Sequence, residues 1–511
     1  MSRTLILLAA ALFALLSLAP LAAMALRVDP ADFQALVTPR TLDLLGRTVF
    51  LGLSVSFLAV LVGAPFGFLV ARTDVPGASL LRPLGLVPLL LPPLFLAISW
   101  TALCDLRGAT ATIVILAANT FPIVAFFSAM AFERIDARRE EAAILVGGWR
   151  AALRMELLPV APAILCGGCL AFILAINDFA VPDYISSVGS KFNVYADEVF
   201  ASWKLDAQTG RAVVTALPLL CLTLLFLLPA LALRRRGTLA TLEGGFVPPR
   251  RLSLGLARWP AFLFCAALVT GASLVPVGRL IFEAGGGARG WSQENLRSAF
   301  DRALELSRSD LANSLVWSAL AASLAVPIAL VLGHLAERAR LGRALEFVFV
   351  LPLAVPAILL GIGEITLWNR DLTAELYNSG ALVVLLYAGR FLSLPLLLLS
   401  GAVAAMGTSQ EESAQLSGAG PARRMLRIVA PTLRPSLLGA WAMVFVLSMR
   451  ELDGAILVPA ANHTVIFRVF NQIHFGRDDF VAALCLLIIF FLFLPGLLWS
   501  LLAGRRREVM P

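Results

Sequence analysis

"EEAAILVGGWRAALRMELLP" runs from Glu140 to Pro159, and "EESAQLSGAGPARRMLRIVAP" runs from Glu411 to Pro431. Both are rich in charge and small residues inside a chain that is otherwise mostly apolar. Neither holds the run of about 20 apolar residues needed to cross a bilayer. On either side of them lie runs that do. These fall at roughly 4–26, 47–71, 79–101, 110–131, 160–180 and 211–233, then at 259–282, 311–333, 345–367, 379–406, 436–459 and 479–503. The polar segment recurs between the fourth and fifth run of each set, and this fixes the frame: six spans, twice.

Composition points the same way. Only 14% of the 511 residues are charged, against about 25% in soluble chains, and the mean hydropathy is +0.87. The net charge of +8 is nearly all arginine, since Lys191 and Lys204 are the only lysines. Basic clusters with interleaved aromatics are absent, so nucleic acid is not an expected partner; the lipid bilayer is. Backbone polar groups cannot stay unpaired in lipid, and the runs are too long for barrel strands. The expected fold is therefore an all-α integral membrane protein of about 12 transmembrane helices, as two tandem parallel six-helix repeats.

Arginine orients the spans. Arg234, Arg235, Arg236, Arg250, Arg251 and Arg258 flank the centre, Arg505 to Arg507 follow the last run, and Arg134, Arg138, Arg139, Arg150 and Arg154 crowd the first polar segment. Placing them inside puts both termini in the cytoplasm of a multi-pass inner-membrane protein. The N-terminus imitates a signal peptide, yet is long enough to span and reads as an uncleaved helix. The expected domains are 1–233, with six spans and polar loop 140–159; a basic linker at 234–258, read as a flexible hinge; and 259–511, with six spans and polar loop 411–431.

The halves repeat at an offset of 271 across Glu140–Gly147 and Glu411–Gly418. "VPLLLPP" (87–93) matches "LPLAVPA" (351–357), pairing Pro88 and Pro92 with Pro352 and Pro356. Two prolines one turn apart predict a kinked helix, either lining a pathway or simply packing. Within each polar segment the alanines and glutamates favour helix. Gly147-Gly148 and Gly418-Ala419-Gly420-Pro421 break it, predicting two short helices at an angle. Small residues keep one face thin for close approach. An amphipathic loop lying on the inner leaflet is the plainer reading; two matched copies favour docking onto a two-fold partner.

The pattern resembles the EAA motif of permease subunits in binding-protein-dependent ABC importers: E-A-A, three residues, G, nine residues, I-x-L-P. The second copy fits through Glu412, Ser413, Ala414, Gly418, Ile428 and Pro431, with Ser413 for the first alanine and Ala430 for leucine. The first fits through Glu141, Ala142, Ala143, Gly147, Leu158 and Pro159, but is one residue short between Gly and Pro. The resemblance implies that each copy couples to an ATPase, so that two ATPase subunits and a periplasmic substrate-binding protein are the partners. ATP and Mg2+ are then expected on the ATPases. A phosphate-cradling loop needs G-K-[ST], and neither lysine here follows a glycine; the chain reads as a transport subunit, not an enzyme.

Charged residues within spans are functional suspects. Arg390 interrupts "ALVVLLYAGRFLSLPLLLL", with Asn119 at the matching place in the first half. Asn177-Asp178 and Arg450-Glu451 lie near the outer ends of the fifth spans, and Glu364 near that of the ninth. Asn119, Asp178, Glu364, Arg390, Arg450 and Glu451 are the candidate pathway set, with ion pairing that holds helices in register as the competing role for the arginines. "GRFLSLPL", "MRELDGAIL" and "NDFAVPD" look like the fused two-domain permeases of the ferric-iron importer group, which makes ferric iron the first substrate expectation. Thiamine, polyamine, phosphonate and oxyanion permeases are alternatives of the same type. No metal site held by this chain is expected: Cys166 and Cys169 form a lone CxxC that reads as helix packing, and His463 and His474 are isolated in an outer loop. A secondary transporter driven by an ion gradient is the rival of another class. It predicts polar loops between the second and third spans of each half and acids buried deep in the bilayer, whereas here the repeated polar segment falls between the fourth and fifth. A membrane enzyme lacks any catalytic constellation.

Overall fold

The computed structural model describes residues 3–36, 38–206, 209–238, 247, 249–287, 290–339, 342–457, 459, 463–473, 475 and 478–507. Among them the regular structure is helical, apart from one isolated bridge between Thr73 and Leu252. The main helices are α1 (Arg3–Ala25), α2 (Pro39–Arg72), α3 (Ala78–Leu90), α4 (Pro93–Leu103), α5 (Gly108–Glu133) and α6 (Ala137–Asn177). They continue as α7 (Ala180–Val188), α8 (Tyr195–Asp206), α9 (Thr209–Thr238), α10 (Gly255–Ala284), α11 (Gln293–Arg338), α12 (Ala344–Ala354) and α13 (Ala357–Trp368). The last are α14 (Ala381–Phe391), α15 (Ser393–Met406), α16 (Ser409–Leu416), α17 (Pro421–Thr432), α18 (Arg434–Met449), α19 (Val465–Ile473) and α20 (Asp478–Arg507).

Among the described residues, eight helices are long and apolar enough to cross a membrane, and twelve spans result if each of four bent pairs counts as one. The matched prolines do more than kink their helices. α3 and α4 meet at 95°, and α12 and α13 at 94°. Pro92 and Pro356 sit at the breaks with extended backbone, where proline's missing N–H and fixed φ end the helix before them. α11 also departs from expectation. Its 46 residues make a rod of about 70 Å, more than twice the ~30 Å of lipid hydrocarbon. The stretch 293–310, which lies outside the expected spans, is its polar first part.

The chain forms two compact units that cut across the two sequence halves. One comprises 1–33, 202–216 and 283–511; the other comprises 34–201 and 217–282. The first unit thus contains α1, and the second contains α10, each the first span of the opposite half. In the first unit α1 packs through close backbone approaches. A Cβ on Gly389 would lie 2.1 Å from the Leu16 carbonyl, and one on Gly363 would lie 2.8 Å from that of Pro20. Ser17 donates to the Gly389 carbonyl at 3.0 Å, and Phe13 meets Phe349 edge to face. In the second unit α2 crosses α5 at Gly63 and Gly67, where a Cβ would strike the Phe121 and Ala125 carbonyls. Small residues four apart let membrane helices approach this closely. Ala59, Phe66, Phe121, Val124, Ala171, Cys265 and Val269 fill the core beside that crossing.

The linker is not free throughout. Residues 239–246 and Pro248 lie outside the described residues. Val247 accepts from Ala137 N–H at 3.1 Å, Leu252 N–H donates to the Arg72 carbonyl at 2.6 Å, and Asp74 N–H donates to the Leu252 carbonyl at 3.1 Å. The Asp74 carboxylate accepts from Leu254 N–H at 2.8 Å, a hydrogen bond that holds it below the usual carboxylate range. The expected hinge is therefore, at Val247 and over 249–254, a strap bonded within the second unit.

Candidate functional site

The first polar segment opens α6. Asp136 precedes it and accepts from Arg138 N–H, satisfying a donor that a helix start leaves open. Glu140, Glu141, Ala142, Ala143 and Gly147 follow on the first stretch of helix. Gly148 then takes φ 67°, ψ −165° and breaks it. Past the break the helix runs without interruption through Pro159 into the span, so the expected second short helix ending at Pro159 is instead the start of the span. Glu141, Ala142, Gly147 and Pro159 are exposed, and the apolar Leu145 and Val146 are 87% and 90% exposed.

The second segment keeps the expected form. α16 carries Glu412, Ser413 and Ala414, the chain turns at Gly418 with φ 78°, and α17 starts at Pro421 and ends after Pro431. α17 and α18 then meet at 79°. Leu416 is 90% exposed and Leu426 71%. Each segment therefore presents bare apolar side chains beside charge, which a lone water-facing loop has no reason to keep.

Beneath each segment lies an arginine that sequence reasoning missed. Arg72, at the end of α2, is 1% exposed. It bonds Glu140 at 2.8 Å, Glu156 at 2.6 Å and the Arg250 carbonyl of the strap at 2.5 Å. Arg338, at the end of α11, holds Glu411 at 3.3 Å and also donates to the carbonyls of Val403 and Gly407. His334, one turn earlier, is hydrogen-bonded to Glu411 at 2.8 Å. A cleft of about 250 Å³ opens here, bordered by His334, Arg338, Glu411, Glu412, Arg424 and Met425. The signal was available: "GFLVAR" (67–72) and "GHLAER" (333–338) each end a long apolar run on arginine at an offset of 266.

Away from the polar segments, the pathway candidates divide. Arg390 and Glu451 form an ion pair at 3.0 Å, both largely buried, and the other Glu451 oxygen accepts from Gly454 N–H at 3.0 Å. Asp178 accepts likewise from Val181 N–H at 2.9 Å, so both acids receive an N–H three residues on. Asn119 is buried and donates to the Pro88 and Leu91 carbonyls, which the α3–α4 break leaves without helical partners. Glu364 is buried on α13 and accepts from the Trp368 indole at 2.7 Å. Arg450 sits at the end of α18, half-buried. Outside the spans, Asp197 on α8 is pushed up to about 7 by burial, and the Asp183, Asp178 and Glu198 charges add to this. Among the described residues no three His, Cys, Asp or Glu gather as a metal site.

Residues 325–508 match the family described as binding-protein-dependent transport system inner membrane component. Over 437 residues the chain is 23% identical to the Fe(3+)-transport system permease protein FbpB 2 of Haemophilus influenzae, covering 83% of each chain. It is 31% identical over 166 residues to the molybdenum transport system permease protein ModB of Escherichia coli, covering 28% of this chain and 72% of that one. It is 26% identical over 184 residues to the molybdate/tungstate permease WtpB of Thermococcus kodakarensis, covering 34% and 73%.

Proposed function

This chain belongs to the family of binding-protein-dependent transport system inner membrane components, and on that premise we propose that it is the fused permease subunit of an ABC importer. Its two halves serve as tandem repeats, each with one coupling segment, at 140–159 and 411–431. Each segment seats on one of two ATPase subunits that bind ATP and Mg2+, and a periplasmic binding protein delivers substrate to the outer loops. Closure of the ATPases on ATP draws the segments together, and the spans alternate access across the membrane. The observation that carries this reading is the recurrence of one construction: an exposed segment with bare apolar residues, bent at a left-handed glycine and fastened to an arginine ending a long span. The same order of these features in both halves, with the breaks at Pro92 and Pro356 in matching places, supports the repeat. Both termini then lie in the cytoplasm.

Ferric iron is the proposed substrate, supported by the extent of the likeness to the Fe(3+) permease, which runs over most of both chains. Molybdate or tungstate is the second reading, favoured by the higher identity to ModB over a shorter stretch. The six polar residues Asn119, Asp178, Glu364, Arg390, Arg450 and Glu451 are proposed to shape the path, with Arg390 and Glu451 acting as a pair.

Affinity purification of the chain from its native membrane tests the transporter class. Two ATPase copies are expected per chain, with recovery lowered on substitution of Gly148 or Gly418. Recovery of no ATPase, with gradient-driven uptake by this chain alone, would instead establish a secondary transporter. Uptake of radiolabelled ferric iron and of molybdate in cells with and without the chain separates the substrates.

A further inference from the structure

We infer that Arg72 and Arg338 are positioning residues that make each polar segment move as one body with the long span beside it. This rests on the reading of those segments as ATPase-coupling elements.

Arginine at the end of a membrane helix ordinarily extends its charge into the interfacial water. These two do not. Arg72 is among the most deeply buried large side chains in the protein, and Arg338 is about three-quarters buried. Each spends its guanidinium on the first glutamate of the segment and on main-chain oxygen, Arg72 on the Arg250 carbonyl and Arg338 on those of Val403 and Gly407. Glu140 and Glu411 stand one residue before the motif glutamates Glu141 and Glu412. The inner acid of each pair faces the arginine, while Glu141 and Glu412 remain exposed. The planar fork suits such multiple anchoring, and lysine cannot reproduce it.

The two anchors reach the same end by different means. Arg72 binds two acids and the strap carbonyl, so in the second unit α2, both sides of the Gly148 break and the linker converge on one side chain. Arg338 has one acid, and His334 supplies the second contact to it. Without the anchors the segments would hang on glycine turns with open space around them. A push on such a segment would bend the turn and leave the span where it was. With the anchors, the push reaches α2 and α11 directly. ATPase closure then works against the membrane part, and that resistance slows hydrolysis. Cutting the anchor removes the resistance, so idle hydrolysis should rise, whereas damage to the fold or the interface should lower it.

The test is the basal ATP hydrolysis of the purified complex, normalised to the ATPase it contains. Arg338→Gln and Glu411→Gln are each expected to raise the rate by roughly tenfold while retaining the ATPase, since breaking a buried ion pair shifts equilibria at least that far. Arg72→Lys should raise it less. Glu411→Asp, which keeps a carboxylate toward Arg338 and His334 and leaves Arg338 its Val403 and Gly407 carbonyls, should stay within about twofold of the parent. A rate that stays level or falls in fully assembled Arg338→Gln complexes overturns the inference. If the two glutamine variants fail to accumulate in the membrane, Arg338→Lys decides: accumulation with a raised rate supports the anchor, since lysine keeps the charge without the fork, and either no accumulation or a parent-like rate overturns it. Failure of the coupling reading itself looks different, because the parent chain then recovers no ATPase.

Discussion

Arg390 and Glu451 show what one buried pair costs when half of it is removed. Their charges sit among apolar side chains, where an uncompensated carboxylate is expensive. Arg390→Met should destabilise the detergent-purified chain by about 3–5 kcal/mol. Adding Glu451→Gln, which can still accept from Gly454 N–H, should recover more than half of that. Thermal unfolding followed by tryptophan fluorescence reads both; an Arg390→Met protein as stable as the parent would rule out a holding role. Asp197 makes a second residue-scale case. Its pKa is about 7 in the folded chain against an ordinary 3.8. A raised value means that folding favours the protonated form, so stability is full below about pH 4 and is lost as pH climbs through 7. Asp197→Asn should remove that loss, leaving a variant that melts above the parent at pH 8 and level with it at pH 4. Parallel pH profiles would show that this carboxyl does not govern the slope.

At the scale of elements, the glycine bends and proline breaks carry the design. Gly148 and Gly418 have room for a side chain but a backbone that disfavours one, with φ of 67° and 78°. Alanine at either should cost roughly 1 kcal/mol in the bent form and lower ATPase recovery about fivefold. Gly420→Ala, at φ −63° with open space, should do neither. Asn119→Leu should be worse than a cavity argument suggests, by about 1–3 kcal/mol for each of two carbonyls left bare; chemical unfolding of the purified variant measures it. Much of this level was legible in the sequence. Spans, polar segments and proline pairs declare themselves because they depend on local composition and period. The sharpness of the proline breaks was not legible, since a carbonyl partner such as Asn119 comes from another helix. Nor was the continuity of α6 through Pro159, where the first copy bends at Gly148 and runs straight on into its span. Arg72 and Arg338 escaped because a terminal arginine reads as interfacial until Glu140 and Glu411 are folded against it.

At the scale of the whole molecule, sequence halves and compact units do not coincide, and this governs how the protein can be divided. The first unit needs α1, and the second needs α10. Expressed separately, residues 1–240 and 241–511 should each accumulate poorly in the membrane, and together they should rescue one another; membrane levels of tagged fragments measure this. Full accumulation of either fragment alone would mean that the exchanged helix is dispensable. The exchange also sets a clock. Synthesis proceeds at about 5–20 residues per second, and Phe349, Gly363 and Gly389, against which α1 packs, come more than 320 residues after it. Helix α1 therefore waits in lipid for roughly 15–75 s before its seat exists, and a surface that past Thr4 is apolar but for Ser17 is what allows it to wait there without a partner.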